Sequence, residues 1–209
     1  MPYQYIFWDN DGVLVDTEGL YCQASREALA QIGFTLSDQQ FAEVSLASGR
    51  SVFELATTDQ ALMEKLRHWR NRRYCELLSG QELVLPGVRA TLEQLAPRLG
   101  MAVVTSSRRD HFNLIHANSG LLGYFDFILC REDYLAAKPD PEPYLLALER
   151  SGCTARQCLV IEDSARGLAA AKAAGLTCWV TPSPQTRSQD FSAADRILEH
   201  LGELTALLA

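Results

Sequence analysis

Tyr5-Ile6-Phe7-Trp8-Asp9-Asn10-Asp11-Gly12 joins an unbroken apolar run to two carboxylates and a glycine. A run that is apolar at every position, rather than at alternate ones, suits a strand covered on both faces. Asp9 and Asp11 leave that strand together, and Gly12 permits a sharp departure of the backbone. Short runs of the same kind recur at 101–104, 127–129, 158–161 and 178–180. Helices are predicted between the later runs, over 88–99, 110–119, 142–151 and 164–174. Each closes near a glycine that can serve as its C′ residue: Gly100, Gly120, Gly152 and Gly175. Strands alternating with helices predict an α/β fold, a Rossmann-like parallel sheet core flanked by helices.

The first crossover breaks this rhythm. About 90 residues separate the first two strands, whereas a simple βαβ unit needs roughly 30 in all. The excess reads as helices over 17–32, ending at Gly33, then 37–47, 51–57 and 60–79, with Pro86-Gly87 as punctuation. The expected organisation is therefore an α/β core of residues 1–16 and 84–209 carrying an inserted all-helical cap subdomain, 17–83. Two linkers make a hinge, and a hinged cap over the carboxyl ends of parallel strands makes a closable pocket.

Composition narrows the function classes. The chain has 209 residues, 47% apolar and 22% charged, ordinary values for a soluble globular domain and not for a disordered or fibrous chain. A net charge of −7 and a pI near 5.1 argue against gripping a phosphate backbone, so no nucleic acid partner is expected. The basic run Lys65-Leu66-Arg67-His68-Trp69-Arg70-Asn71-Arg72-Arg73 lies in a segment, 17–83, with 7 basic and 9 acidic side chains. A solvated helix face is expected there. None of the six cysteines forms a C-x-x-C pair, and the four histidines show no H-x-x-x-H spacing, so zinc has no support. No apolar run approaches 18 residues and no leader pattern is visible. A cytoplasmic protein with reduced thiols and no membrane partner is expected.

In an open parallel sheet, ligands bind beyond the carboxyl ends of the strands. There the sequence places Asp9 and Asp11, then Thr105-Ser106-Ser107, then Lys138 between Ala137 and Pro139, then Glu162-Asp163-Ser164. Four acids around a pocket repel an anion unless a hard cation neutralises them, and Mg²⁺ prefers such oxygens. With the metal and Lys138 in place the site attracts a phosphoryl group, which Thr105 and free backbone amides can hydrogen-bond. One carboxylate can attack phosphorus, and the other can protonate the leaving oxygen and later activate water. Each residue also has a plainer reading. D-x-D-G is commonly a turn, Thr105 or Ser106 can cap the next helix, Asp163-Ser164 can cap its own, and an isolated lysine is solvated. The four motifs together, each at a strand end, favour phosphohydrolase chemistry.

These motifs, in this order and across nearly the whole chain, resemble the haloacid dehalogenase (HAD) superfamily. The similarity is to its phosphatase and β-phosphoglucomutase branch, whose helical cap follows the first strand. The resemblance implies that Asp9 is the nucleophile and Asp11 the general acid/base. It also implies that the Asp9 carboxylate and the Asp11 main-chain carbonyl hold Mg²⁺ with Asp163. Glu162 is either a further ligand or a partner of the ligands. Thr105 and the Ser106 amide would bind the phosphoryl group, and Lys138 would orient Asp9. Asp11 argues against dehalogenation, whose enzymes in this superfamily lack that carboxylate. The sugar-phosphate mutases carry a histidine twelve residues after the nucleophile, where this chain has Tyr21. That departure favours a phosphatase.

Ser48-Gly49-Arg50-Ser51 resembles the cap loop that meets the distal part of the substrate. Arg50 can clamp an anionic group there or sit in an ion pair within the cap. The expectation is thus a Mg²⁺-dependent phosphatase of a small phosphorylated, sugar-phosphate-like metabolite, acting as a monomer or weak homodimer. Arg50, Tyr21 and Ser106 are its candidate substrate contacts. A sugar phosphomutase is the alternative, and an idle binding or regulatory protein is the alternative of another class.

Overall fold

β1 (Tyr5–Trp8) lies inside a six-stranded sheet. The other strands are β2 (Gly100–Val104), β3 (Phe127–Leu129), β4 (Cys158–Glu162), β5 (Thr177–Val180) and β6 (Arg196–Ile197). Their order is β3-β2-β1-β4-β5-β6, and every pairing is parallel. The computed structural model describes residues 3–209, so the first two residues of the expected core segment 1–16 lie outside the described residues.

The unbroken apolar character of β1 follows from its two covered faces. Ile6 and Trp8 pack on one side with Leu92 and Leu95 of α4 (Val88–Leu95), Phe112 and Ile115 of α5 (Arg109–His116) and Leu204 near the C-terminus. Tyr5 and Phe7 pack on the other with Tyr144 and Ala147 of α6 (Glu142–Ser151). Leu168, Ala170 and Ala171 of α7 (Ala165–Ala173) complete that face. Burying each large side chain contributes roughly 1.5–3 kcal/mol. The register that sets these faces also fixes where β1 ends and Asp9 begins.

Between β1 and β2 the chain is helical. It runs through α1 (Glu18–Ala30), a single turn α2 (Asp38–Phe41), a π-helix (Ala42–Ala47), a 3₁₀ turn (Val52–Leu55) and the long α3 (Gln60–Leu78). These elements enclose an apolar cluster of their own that includes Leu29, Leu36, Phe41, Phe53, Met63 and Leu66. The carboxyl end of α3 leaves that cluster, because Tyr74 and Leu78 join the cluster on the Ile6 face of the sheet. The outgoing and returning chains run side by side. The Asp16 amide donates to the Leu83 carbonyl at 2.8 Å, and the Leu85 amide to the Leu14 carbonyl at 3.0 Å.

Several expected boundaries shift for identifiable reasons. The segment 37–47 is two elements: Ser37 and Gln40 form a capping box that starts α2, and the chain then widens into the π-helix. The segment 51–57 is a short 3₁₀ turn. Gly152 does end α6 in the left-handed region, but Gly100 is not a helix terminator. α4 stops at Leu95, and Gly100 opens β2, where an added Cβ would run into the Tyr5 ring. Beyond β5 the sequence offered no element, yet the two-residue β6 forms the sheet edge and α8 (Glu203–Leu207) packs against α4 on the Ile6 face. Among the described residues no helix is long and apolar enough to cross a membrane.

Candidate active site

The carboxyl ends of β1, β2 and β4 and the loop after β3 converge on a cavity of about 700 Å³. The helices between β1 and β2 form its other wall. Asp9, Asp11, Thr105, Ser106, Lys138 and Asp163 all line it, as do Tyr21 and Arg50 from the helical segment. Glu162 lies beneath, fully buried.

Lys138 organises the floor. Its ammonium donates to Asp9 Oδ1 at 2.7 Å, to Glu162 Oε1 at 2.6 Å and to the Val104 carbonyl at 2.8 Å. Burial pulls a lysine down, but the two carboxylates outweigh it and hold Lys138 above its ordinary value. Glu162 is equally committed: its carboxylate also accepts from the Tyr144 hydroxyl at 2.7 Å, the Asp163 amide and the Ser164 hydroxyl, both at 3.2 Å. Gly167 leaves room for it, since a Cβ there would fall on the Glu162 carboxyl group. Ser164 caps α7 through the Gly167 amide at 3.1 Å, so Asp163 is left to face the cavity.

Asp11 sits across from this cluster in a ring of donors. Its Oδ2 accepts from Ser107 Oγ at 2.6 Å and from Thr105 Oγ1 at 3.3 Å, while Oδ1 accepts from the Thr17 hydroxyl. Thr105 therefore does not cap α5, whose preceding residue is Arg108. Gly12, at φ +80°, turns the chain where a Cβ would strike the Asp163 carboxylate. Only glycine brings the β1 turn this close to the end of β4.

The floor is short of positive charge. Burial, then the Glu162 carboxylate, push Asp9 up to about 7 against the pull of Lys138. Burial, then Glu18, Asp9 and Glu162, push Asp163 well above the ordinary aspartate value. Ligand oxygens of Asp9, Glu162 and Asp163 lie within 4.8 Å of one another. A hard-oxygen set that one lysine cannot neutralise fits a divalent cation such as Mg²⁺. Because Glu162 already accepts four hydrogen bonds, Asp9 and Asp163 are the freer donors.

Sequence reasoning passed over other parts of the site. Glu18, in the first turn of α1, is buried beside the cavity and accepts from Ser183 Oγ at 3.0 Å. Burial raises it to about 7, with the Ser183 hydrogen bond opposing. Nothing in the sequence distinguished Glu18 from an ordinary first-turn acid. The basic run on α3 is not a uniformly solvated face: Arg67, Arg70, Asn71 and Tyr74 line the cavity. Their i, i+3, i+4, i+7 spacing puts them on one face of α3, but nothing in the sequence shows that this face is turned inward. Arg70 stacks on the Tyr21 ring, 4.4 Å from its centroid. Arg50 lines the cavity and also pairs with Glu54 at 2.7 Å. Arg166 reaches from α7 to pack on Gly49.

Over residues 6–181 the chain matches the family model described as haloacid dehalogenase-like hydrolase. Protein CbbY of Rhodobacter capsulatus is 32% identical over 210 residues, 93% of this chain and 92% of that protein. The phosphorylated carbohydrates phosphatase of Thermotoga maritima is 31% identical, over 82% of this chain and 81% of that one. The crystal structure of CbbY from Rhodobacter sphaeroides in complex with phosphate superposes with a TM-score of 0.84 at 25% identity. It covers 97% of this chain and 96% of that chain.

Proposed function

The chain belongs to the haloacid dehalogenase-like hydrolase family as a phosphoric monoester hydrolase, and we propose that it is a Mg²⁺-dependent phosphatase of a small sugar phosphate working through an aspartyl-phosphate on Asp9. The observation that carries this reading is the convergence of Asp9, Asp11, Thr105, Lys138 and Asp163 on one cavity. The similarity to a phosphorylated carbohydrates phosphatase supports the substrate class. A cytoplasmic setting suits the six free cysteines.

In this reading the substrate phosphoryl group meets the Thr105 hydroxyl, the Ser106 amide and the Lys138 ammonium. Mg²⁺, held by the Asp9 and Asp163 carboxylates and the Asp11 main-chain carbonyl, would neutralise charge on the phosphoryl oxygens. An Asp9 oxygen forms a bond to phosphorus as the ester bond breaks, and Asp11 gives its proton to the departing oxygen. Asp11, now a carboxylate, takes a proton from water as that water attacks phosphorus. Inorganic phosphate leaves and Asp9 is regenerated. Lys138 keeps the Asp9 carboxylate aimed while Glu162 anchors Lys138. The helical segment 17–83 acts as the cap, with Tyr21, Arg50 and Arg70 meeting the sugar end.

The test is phosphate release from p-nitrophenyl phosphate and a panel of sugar phosphates, with Mg²⁺ present and with it chelated. Mg²⁺-dependent release, fastest on a sugar phosphate, is the expected result. No release from folded protein, or release of isomerised sugar phosphate in place of inorganic phosphate, would overturn the reading.

A further inference from the structure

Asn10, between the two aspartates, is fully buried and its side chain has defined partners on both sides. His116 Nε2 lies 2.8 Å from Asn10 Oδ1, and Asn10 Nδ2 lies 3.3 Å from Asp11 Oδ2. An amide oxygen can only accept, so the imidazole nitrogen donates to it. The carboxamide is thereby locked with its NH₂ toward Asp11, because the flipped amide would set its oxygen against a carboxylate. The other end of the imidazole is also fixed. Ser119 Oγ lies 3.0 Å from His116 Nδ1, accepts from the Leu121 amide at 3.2 Å, and has a second acceptor in the His116 carbonyl at 3.3 Å. With Nε2 protonated in a neutral ring, Nδ1 is the acceptor of that pair, and the shorter contact takes the hydroxyl proton. The Phe112 ring packs on the imidazole at 4.4 Å between centroids. Burial lowers His116 to about 4, which favours the neutral ring, and the Asn10 oxygen selects the tautomer protonated on Nε2.

Ser119, His116, Asn10 and Asp11 therefore form a directed chain from the end of α5 to the acid/base carboxylate. We propose that His116 and Asn10 are positioning residues that hold Asp11 in the orientation from which it protonates the leaving oxygen. The proposal rests on the role given to Asp11 above. His116 never meets substrate; it acts by fixing which face Asn10 shows to Asp11. The first step needs Asp11 most when the leaving group is an alkoxide, and least when it is a stable phenolate. A loosened Asp11 therefore penalises sugar esters more than nitrophenyl esters.

The experiment measures kcat/KM for p-nitrophenyl phosphate and for the sugar phosphate fastest in the panel above. The proteins are wild type, His116→Leu, His116→Gln and Asn10→Ala, each checked for cooperative thermal unfolding. In His116→Leu the ratio of sugar-ester to nitrophenyl-ester kcat/KM falls about tenfold, and His116→Gln, which can still donate to Asn10, recovers most of it. If His116→Leu does not fold, Asn10→Ala is read in the same way and shows the same fall. A ratio unchanged in the folded variants, with both esters falling together or neither falling, overturns the inference alone. Failure of the wild type to release phosphate from any ester overturns it together with the phosphatase reading.

Discussion

Lys138 holds two buried carboxylates at once, Asp9 at 2.7 Å and Glu162 at 2.6 Å. Such a buried network contributes less through its own attraction than through the cost of breaking it, since removing one partner leaves charge buried without compensation. Lys138→Met keeps the stem and removes the ammonium. It should lower the unfolding free energy by roughly 3–5 kcal/mol near neutral pH and abolish turnover. Urea unfolding at two pH values checks the cause. Asp9 already sits above its ordinary value and, without Lys138, takes up a proton more readily as pH falls. The deficit should therefore narrow between about pH 7.5 and pH 5. A variant as stable as wild type at both values would show that the lysine does not carry this cluster. The pairing was partly legible beforehand: Lys138 beside Pro139 marked a fixed lysine, but no spacing in the sequence revealed that Glu162 would lie under it.

The α7 element begins at a strand end and carries Gly167 in its first turns. In an open helix, Gly→Ala gains roughly 0.5–1 kcal/mol. Here the methyl group would fall on the Glu162 carboxyl group, so Gly167→Ala should destabilise the protein and depress activity by disturbing Lys138. Chemical denaturation reads the sign directly, and a raised midpoint would contradict the packing described. The parallel sheet and its helices were legible because continuous apolar runs mark the strands and glycines such as Gly152 mark helix ends, although Gly100 does not. β6 was not, being two residues of which one is Arg196; it exists because β5 offers an edge to pair with. The π-helix was equally invisible, because a helix of different pitch has no distinct residue pattern over six residues. The cavity-facing side of α3 was hidden for another reason. Arg67, Arg70 and Asn71 carry the same residue types as a solvated face, and only tertiary placement turns them inward.

Across the whole molecule, the acidic floor ties stability to pH and to metal. Asp9 and Glu18 are both raised to about 7 from ordinary values of 3.8 and 4.5. Between the ordinary values and about 7 the folded state binds more protons than the unfolded chain, so stability falls as pH rises through that window. Metal-free protein should accordingly have a higher urea midpoint near pH 5 than near pH 7.5. Mg²⁺ competes with those protons, so it should raise Tm more near pH 7.5 than near pH 5. An equal rise at both values would separate the metal from these carboxylates. In the proposed reaction an Asp9 oxygen is the atom that meets phosphorus. The most direct test compares phosphate release by wild type and Asp9→Asn, both with Mg²⁺ and both shown to be folded. The account predicts that the variant loses at least about a thousandfold in kcat while its Tm stays at or above the wild-type value. A folded Asp9→Asn protein that releases phosphate at the wild-type rate would contradict it.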